Sequence, residues 1–179
     1  IPPGEFIPLA EQLGLIGRLD AWVRVQALQA CMQWRLEQRD FFLNVNFSPM
    51  QDVTEAFIEQ LLQGLDKTGF PAVMLNLEIT ESTQVYYSPH LLESIAKLKQ
   101  AGIMLSLDDF GTGYSSFENL IKMPITTLKV DKKFLDNIEQ DTYRQYLLQM
   151  LVDAAHHLRM DLTVEGVEKE SQRKLLTHY

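Results

Sequence analysis

Apolar positions along this chain switch period again and again, from threes and fours to short unbroken runs, and the switches mark its elements. Phe6, Ile7, Leu9, Ala10 and Leu13 fall at helical spacing before Gly14, which predicts a short amphipathic helix over 5–14. A longer helix is expected from Arg18 to about Gln38. Its apolar set is Leu19, Trp22, Val23, Val25, Leu28, Cys31, Met32 and Leu36, with Gln and Arg positions turned to water. Phe41 to Ser48 is short, β-prone and closed by Pro49, the pattern of a buried strand.

The alternation then repeats. A helix is expected over Val53 to Lys67, broken by Gly69 and Pro71, and a strand over Val73 to Ile79. Tyr86 to Pro89 is a loop, Leu91 to Gln100 a helix capped by Gly102, and Ile103 to Leu107 a third strand. Beyond Pro124 come a strand at Thr127 to Val130, a short helix at Lys132 to Ile138 and a longer one from Tyr143 to Leu158. In that helix Leu147, Leu148, Leu151, Val152 and Ala155 face inward. Leu162 to Val164 is the fifth strand, and Lys169 to Leu176 a final helix. Strand and helix alternate five times with no linker or repeat, which predicts α/β architecture with parallel strands and right-handed crossovers. An open doubly wound sheet and a barrel both satisfy that pattern. A complete eight-stranded barrel usually needs ~250 residues, so a barrel of 179 residues would be partial.

Composition narrows the class. The chain is 46% apolar and carries a net charge of -8, which disfavours a general electrostatic grip on nucleic acid, DNA included. No stretch approaches the ~18 apolar residues of a membrane helix, and the start lacks the basic and apolar blocks of a signal peptide, so a soluble cytoplasmic segment without membrane contact is expected. The lone Cys31 excludes an internal disulfide and is expected to pack as a small apolar group. His90, His156, His157 and His178 fall in loops or on helices and are expected at the surface or in packing.

Chemistry concentrates where strands end. The run Leu105-Ser106-Leu107 stops at Asp108-Asp109, followed by Phe110 and a glycine-rich loop of Gly111, Thr112, Gly113, Tyr114, Ser115 and Ser116. Each predicted strand ends on a side chain with chemical potential: Asn46, Glu78, Asp108 with Asp109, Lys129, and Glu165. In a parallel β/α fold such termini gather on one rim. Carboxylates and an amide oxygen are hard ligands that suit Mg²⁺ or Mn²⁺ better than zinc or copper. Adjacent Asp108 and Asp109 could serve two cations, and paired cations suit in-line displacement at phosphorus. Lys129 among these acids would orient a bridging water or screen developing charge. The expectation is phosphodiester hydrolysis.

The residues closely resemble the EAL domain family, bacterial enzymes that hydrolyse cyclic di-GMP to the linear dinucleotide pGpG. The resemblance runs nearly end to end. It rests on Pro3 to Glu11, Val45-Asn46-Phe47-Ser48, Leu77-Glu78-Ile79-Thr80-Glu81-Ser82, Asp108 to Ser116, Leu128-Lys129-Val130-Asp131 and Val164-Glu165-Gly166-Val167-Glu168. It implies a modified TIM barrel, incomplete in this chain, forming a single EAL-type domain over 1–179. It implies two Mg²⁺ or Mn²⁺ ions at Asn46, Glu78, Asp108, Asp109 and Glu165, with Asp108 bridging. Lys129 matches the lysine that orders the catalytic water, so Lys129, Asp108 and Glu165 are the expected catalytic residues. Glu81 matches a brace for the loop after Asp109, and Asp131 and Glu168 are expected as supporting acids. Homodimerisation and additional sensory or GGDEF-type domains are implied for the parent protein. The family's Glu-Ala-Leu strand would precede Ile1 and its Gln-Gly-Tyr region would follow Tyr179, so the chain on its own is expected to be inactive. Phe47 and Pro49-Met50 depart from the family's usual residues without removing a metal ligand. A cyclic di-GMP receptor that signals through dimerisation is the alternative expectation.

Overall fold

A computed structural model of the chain describes residues 1–35, 41–47, 54–80, 89–111, 120–121 and 123–179. The described residues form a mixed α/β fold with a parallel five-stranded sheet, in the order β1 (Leu43–Asn46), β2 (Leu75–Thr80), β3 (Met104–Phe110), β4 (Thr127–Val130) and β5 (Asp161–Val164). Among the described residues the sheet is not closed, as an incomplete barrel requires.

The residues group into two compact units. The first takes in Ile1–Ile79 and the chain up to Leu105. It contains helices α1 (Pro3–Gln12), α2 (Ile16–Arg35), α3 (Glu55–Thr68) and α4 (Pro89–Gln100) with β1 and β2. β1 pairs with β2 in parallel, matching Val45 to Leu77 and Asn46 to Glu78. Five consecutive β2 residues, Leu75 to Ile79, are buried, because a central parallel strand is covered on both faces. Helix α3 starts where the Thr54 side chain accepts from the Phe57 N–H and stops at Gly69, whose φ of 68° closes the last turn. Its Ile58, Leu61 and Leu65 are buried at threes and fours.

Two expectations change in this unit. The predicted strand at Val73 begins instead as a one-turn 3₁₀ segment, Ala72–Met74, and β2 starts only at Leu75. Pro71 is the cause: its fixed φ of -66° starts the turn, and its carbonyl accepts from Met74. The apolar stripe expected on α2 holds at Leu28 and Cys31 but not at Trp22, Val23 and Val25. Trp22 is 62% exposed and Val23 and Val25 are exposed too, whereas Arg24, Leu28 and Cys31 face inward at i, i+4 and i+7. Arg24 tolerates burial because its guanidinium lies 4.9 Å over the Phe57 ring.

The second unit runs from Ser106 to Tyr179, joined by Thr80, and carries the rest of β3, β4, β5, α5 (Thr142–His157) and α6 (Glu170–Leu176). β3 pairs with β4 in parallel, and β4 with β5, the latter matching Lys129 to Thr163 and Val130 to Val164. Leu128 and Val130 have no exposed surface, and Leu135, Ile138 and Leu148 form a core onto which Val164, Leu175, Leu176 and Tyr179 pack. Leu148, Leu151, Val152 and Ala155 of α5 are buried as its periodicity predicted. The helix expected over Lys132 to Ile138 is a single 3₁₀ turn, Lys132–Leu135, capped by the Asp131 side chain on the Lys133 N–H at 3.0 Å.

Candidate active site

Each unit presents strand-end polar residues. In the first, Asn46 closes β1 and lies opposite Glu78 in the register, while the Phe47 N–H donates to the Glu78 carbonyl at 2.8 Å. Asn46 is exposed and the Glu78 side chain is buried. This pairing follows from sequence, since two parallel strands of the same direction end side by side when their crossovers match.

In the second unit the decisive local feature is the end of β3. Alternation would send Asp108 and Asp109 to opposite faces, and the sequence suggested that the strand stops before them. Instead β3 continues to Phe110, and its register with β4 shifts between Leu107 and Phe110. Asp109 takes a left-handed backbone, φ 57°, followed by Gly111 at φ 97°. Aspartate is one of the few residues other than glycine that enters this region at modest cost. The Asp109 N–H turns onto the Asp108 carboxylate, 3.0 Å from Oδ1. The bulge thereby removes the alternation that would have separated the pair.

Lys129, at the corresponding place on β4, extends its ammonium to Asp108 Oδ1 at 3.1 Å and to Glu165 Oε1 at 2.8 Å. The Lys129 and Asp108 side chains are 13% and 14% exposed, so this ion pair lies largely out of water, while Glu165 is more open at 38%. Glu165 follows β5, its N–H donating to Val130, and Gly166 turns the chain away at φ 70°. Burial, then the charges of Asp108, Asp131 and Glu165, push the Asp109 carboxyl above its ordinary range, with Lys129 pulling it back. The surplus of negative charge around Asp109 is what a bound cation would relieve.

Asp108, Asp109, Lys129 and Glu165 come together in the second unit, with Asp131 close enough to act on Asp109. Asp131 also caps the turn after β4, and Glu168 is exposed with its N–H on the Gln172 side chain. Glu81 and the loop Thr112, Gly113, Tyr114, Ser115 and Ser116 lie outside the described residues, as do Ser48, Pro49, Met50 and Tyr86 to Ser88. Among the described residues no group of three or more His, Cys, Asp or Glu side chains stands so that it could hold a metal ion. Here the ammonium of Lys129 bridges two of the carboxylates. His156, His157 and His178 are exposed, as expected.

A family model for the EAL domain matches residues 1–179. The chain belongs to the EAL domain family. This EAL domain is 34% identical over 99% of its length to the bifunctional diguanylate cyclase/cyclic di-GMP phosphodiesterase MucR of Pseudomonas aeruginosa, and 32% identical over 98% to the oxygen sensor protein DosP of Escherichia coli. It spans only 26% of MucR and 22% of DosP, so those proteins are several times longer. A solved structure of the PaMucR phosphodiesterase in complex with c-di-GMP superposes with a TM-score of 0.88 at 32% identity, covering 99% of this chain and 72% of that one. The EAL enzyme Bd1971, bound to cAMP and cyclic di-GMP, gives 0.89 at 26% identity, with 99% and 50% covered.

Two features of the site escaped the sequence. One is the left-handed backbone of Asp109, signalled only by an Asp two residues before Gly111. The other is Phe134, whose ring covers Gly111; an aromatic three residues after Asp131 was its only trace.

Proposed function

We propose that this EAL domain acts within its parent protein as a phosphodiesterase on the cytoplasmic side, hydrolysing cyclic di-GMP to linear pGpG with the help of two Mg²⁺ or Mn²⁺ ions, whether or not the parent is membrane-anchored. The observation that carries the reading is the convergence of Asp108, Asp109 and Glu165 around Lys129 in a chain that matches the EAL family throughout. The bound nucleotide of the PaMucR phosphodiesterase supports the choice of substrate.

The donor set fits such ions: the oxygens are hard, and Asp109 is crowded by like charge. By their match to the family's motifs, Asn46, Glu78, Asp108, Asp109 and Glu165 would hold the cations. When bound, the cations supply Lewis acidity at the phosphodiester and lower the pKa of a water. Lys129 holds that water by hydrogen bonding and, placed between Asp108 and Glu165, offsets negative charge as it builds on phosphorus. Asp109, brought to the same side as Asp108 by the bulge, completes the acid pair, and Asp131 and Glu168 support it. Homodimerisation and coupling to sensory or GGDEF-type domains belong to the same reading.

The test is turnover of cyclic di-GMP by the full-length protein with Mg²⁺ or Mn²⁺, compared with Asp108→Asn. The variant is expected to lose orders of magnitude in rate. Near-wild-type turnover would remove Asp108 from the chemistry.

A further inference from the structure

We propose that Phe134 is a positioning residue that holds the Asp108-Asp109 pair in its bulged conformation, acting through Gly111; this rests on the metal-binding reading of that pair. The turn from Asp109 to Gly111 carries two left-handed residues, at φ 57° and 97°, in a strand whose register has slipped. Gly111 takes its bend freely, but the left-handed backbone of Asp109 carries a modest cost that its surroundings must offset. The Phe134 ring is the surrounding group. A Cβ built on Gly111 would stand 2.7 Å from the ring's Cζ and closer still to Cε2, so the aromatic ring occupies the space a side chain would take.

The turn that carries the ring is itself anchored. Asp131 donates its N–H to the Phe110 carbonyl at 3.4 Å and accepts from the Phe134 N–H at 3.0 Å, tying the 3₁₀ turn to the end of β3. The Asp131 side chain caps the same turn at the Lys133 N–H. Leu135, next in sequence, is 2% exposed and rooted in the core with Ile138 and Leu148. At the other end of the turn Lys132 lies against Gly166: a Cβ there would overlap Lys132 Cβ and stand 3.4 Å from its Cα. One turn of four residues therefore closes on both bends that carry acids, the one after Asp109 and the one after Glu165. Without the ring, Asp109 is free to return to extended backbone, which sends its carboxylate to the face opposite Asp108.

The experiment uses the full-length protein and two readouts. In the metal-stripped protein, amide hydrogen exchange over 108–111 is compared between wild type, Phe134→Ala and Phe134→Leu. Mn²⁺ binding is then titrated by electron paramagnetic resonance for the same proteins and for Asp108→Asn. Phe134→Ala is expected to exchange faster at 108–111 while the core strands stay protected, and to bind Mn²⁺ on the order of tenfold more weakly, as for lost support of a ligand. Phe134→Leu, which refills most of the volume, is expected to recover most of both. Unchanged exchange at 108–111 in Phe134→Ala overturns the proposal, and so does faster exchange with wild-type Mn²⁺ affinity. Wild-type Mn²⁺ affinity in Asp108→Asn would sink the metal reading instead, while the exchange data still decide what Phe134 does to the turn.

Discussion

Lys129 offers the sharpest test of the site's electrostatics, through Lys129→Met. Methionine keeps the length and apolar stem but removes the ammonium that stands 3.1 Å from Asp108 and 2.8 Å from Glu165. At an effective dielectric near 20 those contacts are worth roughly 5 to 6 kcal/mol each before solvation is counted. Much of that is offset by the cost of drying the ammonium, and the 38% exposure of Glu165 leaves its contact screened. A net loss of about 2 kcal/mol remains, between the values for exposed and fully buried pairs. For a chain of this size that lowers Tm by about 4 to 8 °C. The assay is thermal unfolding of metal-free protein at low salt, repeated at high salt, where the gap should narrow. A melting point within about 1 °C of wild type at low salt would refute the reasoning, because a shift that small is well under 1 kcal/mol.

Three further outcomes are expected. Asp109→Asn should stabilise the metal-free protein at pH 7: burial and neighbouring acids raise this carboxyl, so the wild type loses stability as pH climbs from the unfolded to the folded pKa. The advantage of Asn should vanish below about pH 3, where Asp is protonated even when unfolded, and urea melts at the two pH values check both signs. Asp141→Ala, which removes the side chain that accepts from the Tyr143 and Arg144 N–H groups at the start of α5, should cost about 1 kcal/mol in denaturant unfolding. Cys31 is 3% exposed and burial raises its thiol pKa, so it should react with a thiol reagent only on unfolding; prompt labelling of the native protein at pH 8 would contradict its placement.

Most of the architecture was legible because period and breakers agree. Gly69 and Pro71, Gly102, and Pro124 divide runs whose spacing is unambiguous, and Asn46, Glu78, Asp108, Asp109, Lys129 and Glu165 all lie at or close to the C-terminal ends of the five strands. The errors arise where a residue obeys a neighbour instead of a pattern. Arg24 sits on the inward face of α2 because an aromatic ring receives it, and no periodicity count allows for that. Trp22, two residues earlier and so on the opposite side of the helix, stands exposed for the same geometric reason. Pro71 converts the first residues of an apparent strand into a turn through its fixed φ. In the site, the identities of Asp108, Asp109, Lys129 and Glu165 were plain, but their juxtaposition depends on a slipped register. Side-chain alternation predicts the opposite.

The backbone of Asp109 also limits how this position can change over generations. At φ 57° a β-branched or bulky replacement would be strained whatever its charge, and glutamate, the nearest acid, tolerates that region less well than aspartate. Asparagine and glycine are the substitutions the turn accepts, and both abolish the negative charge. A lineage drifting at this codon therefore meets a sharp alternative: it keeps the acid as it is, or discards the charge in one step while the fold survives.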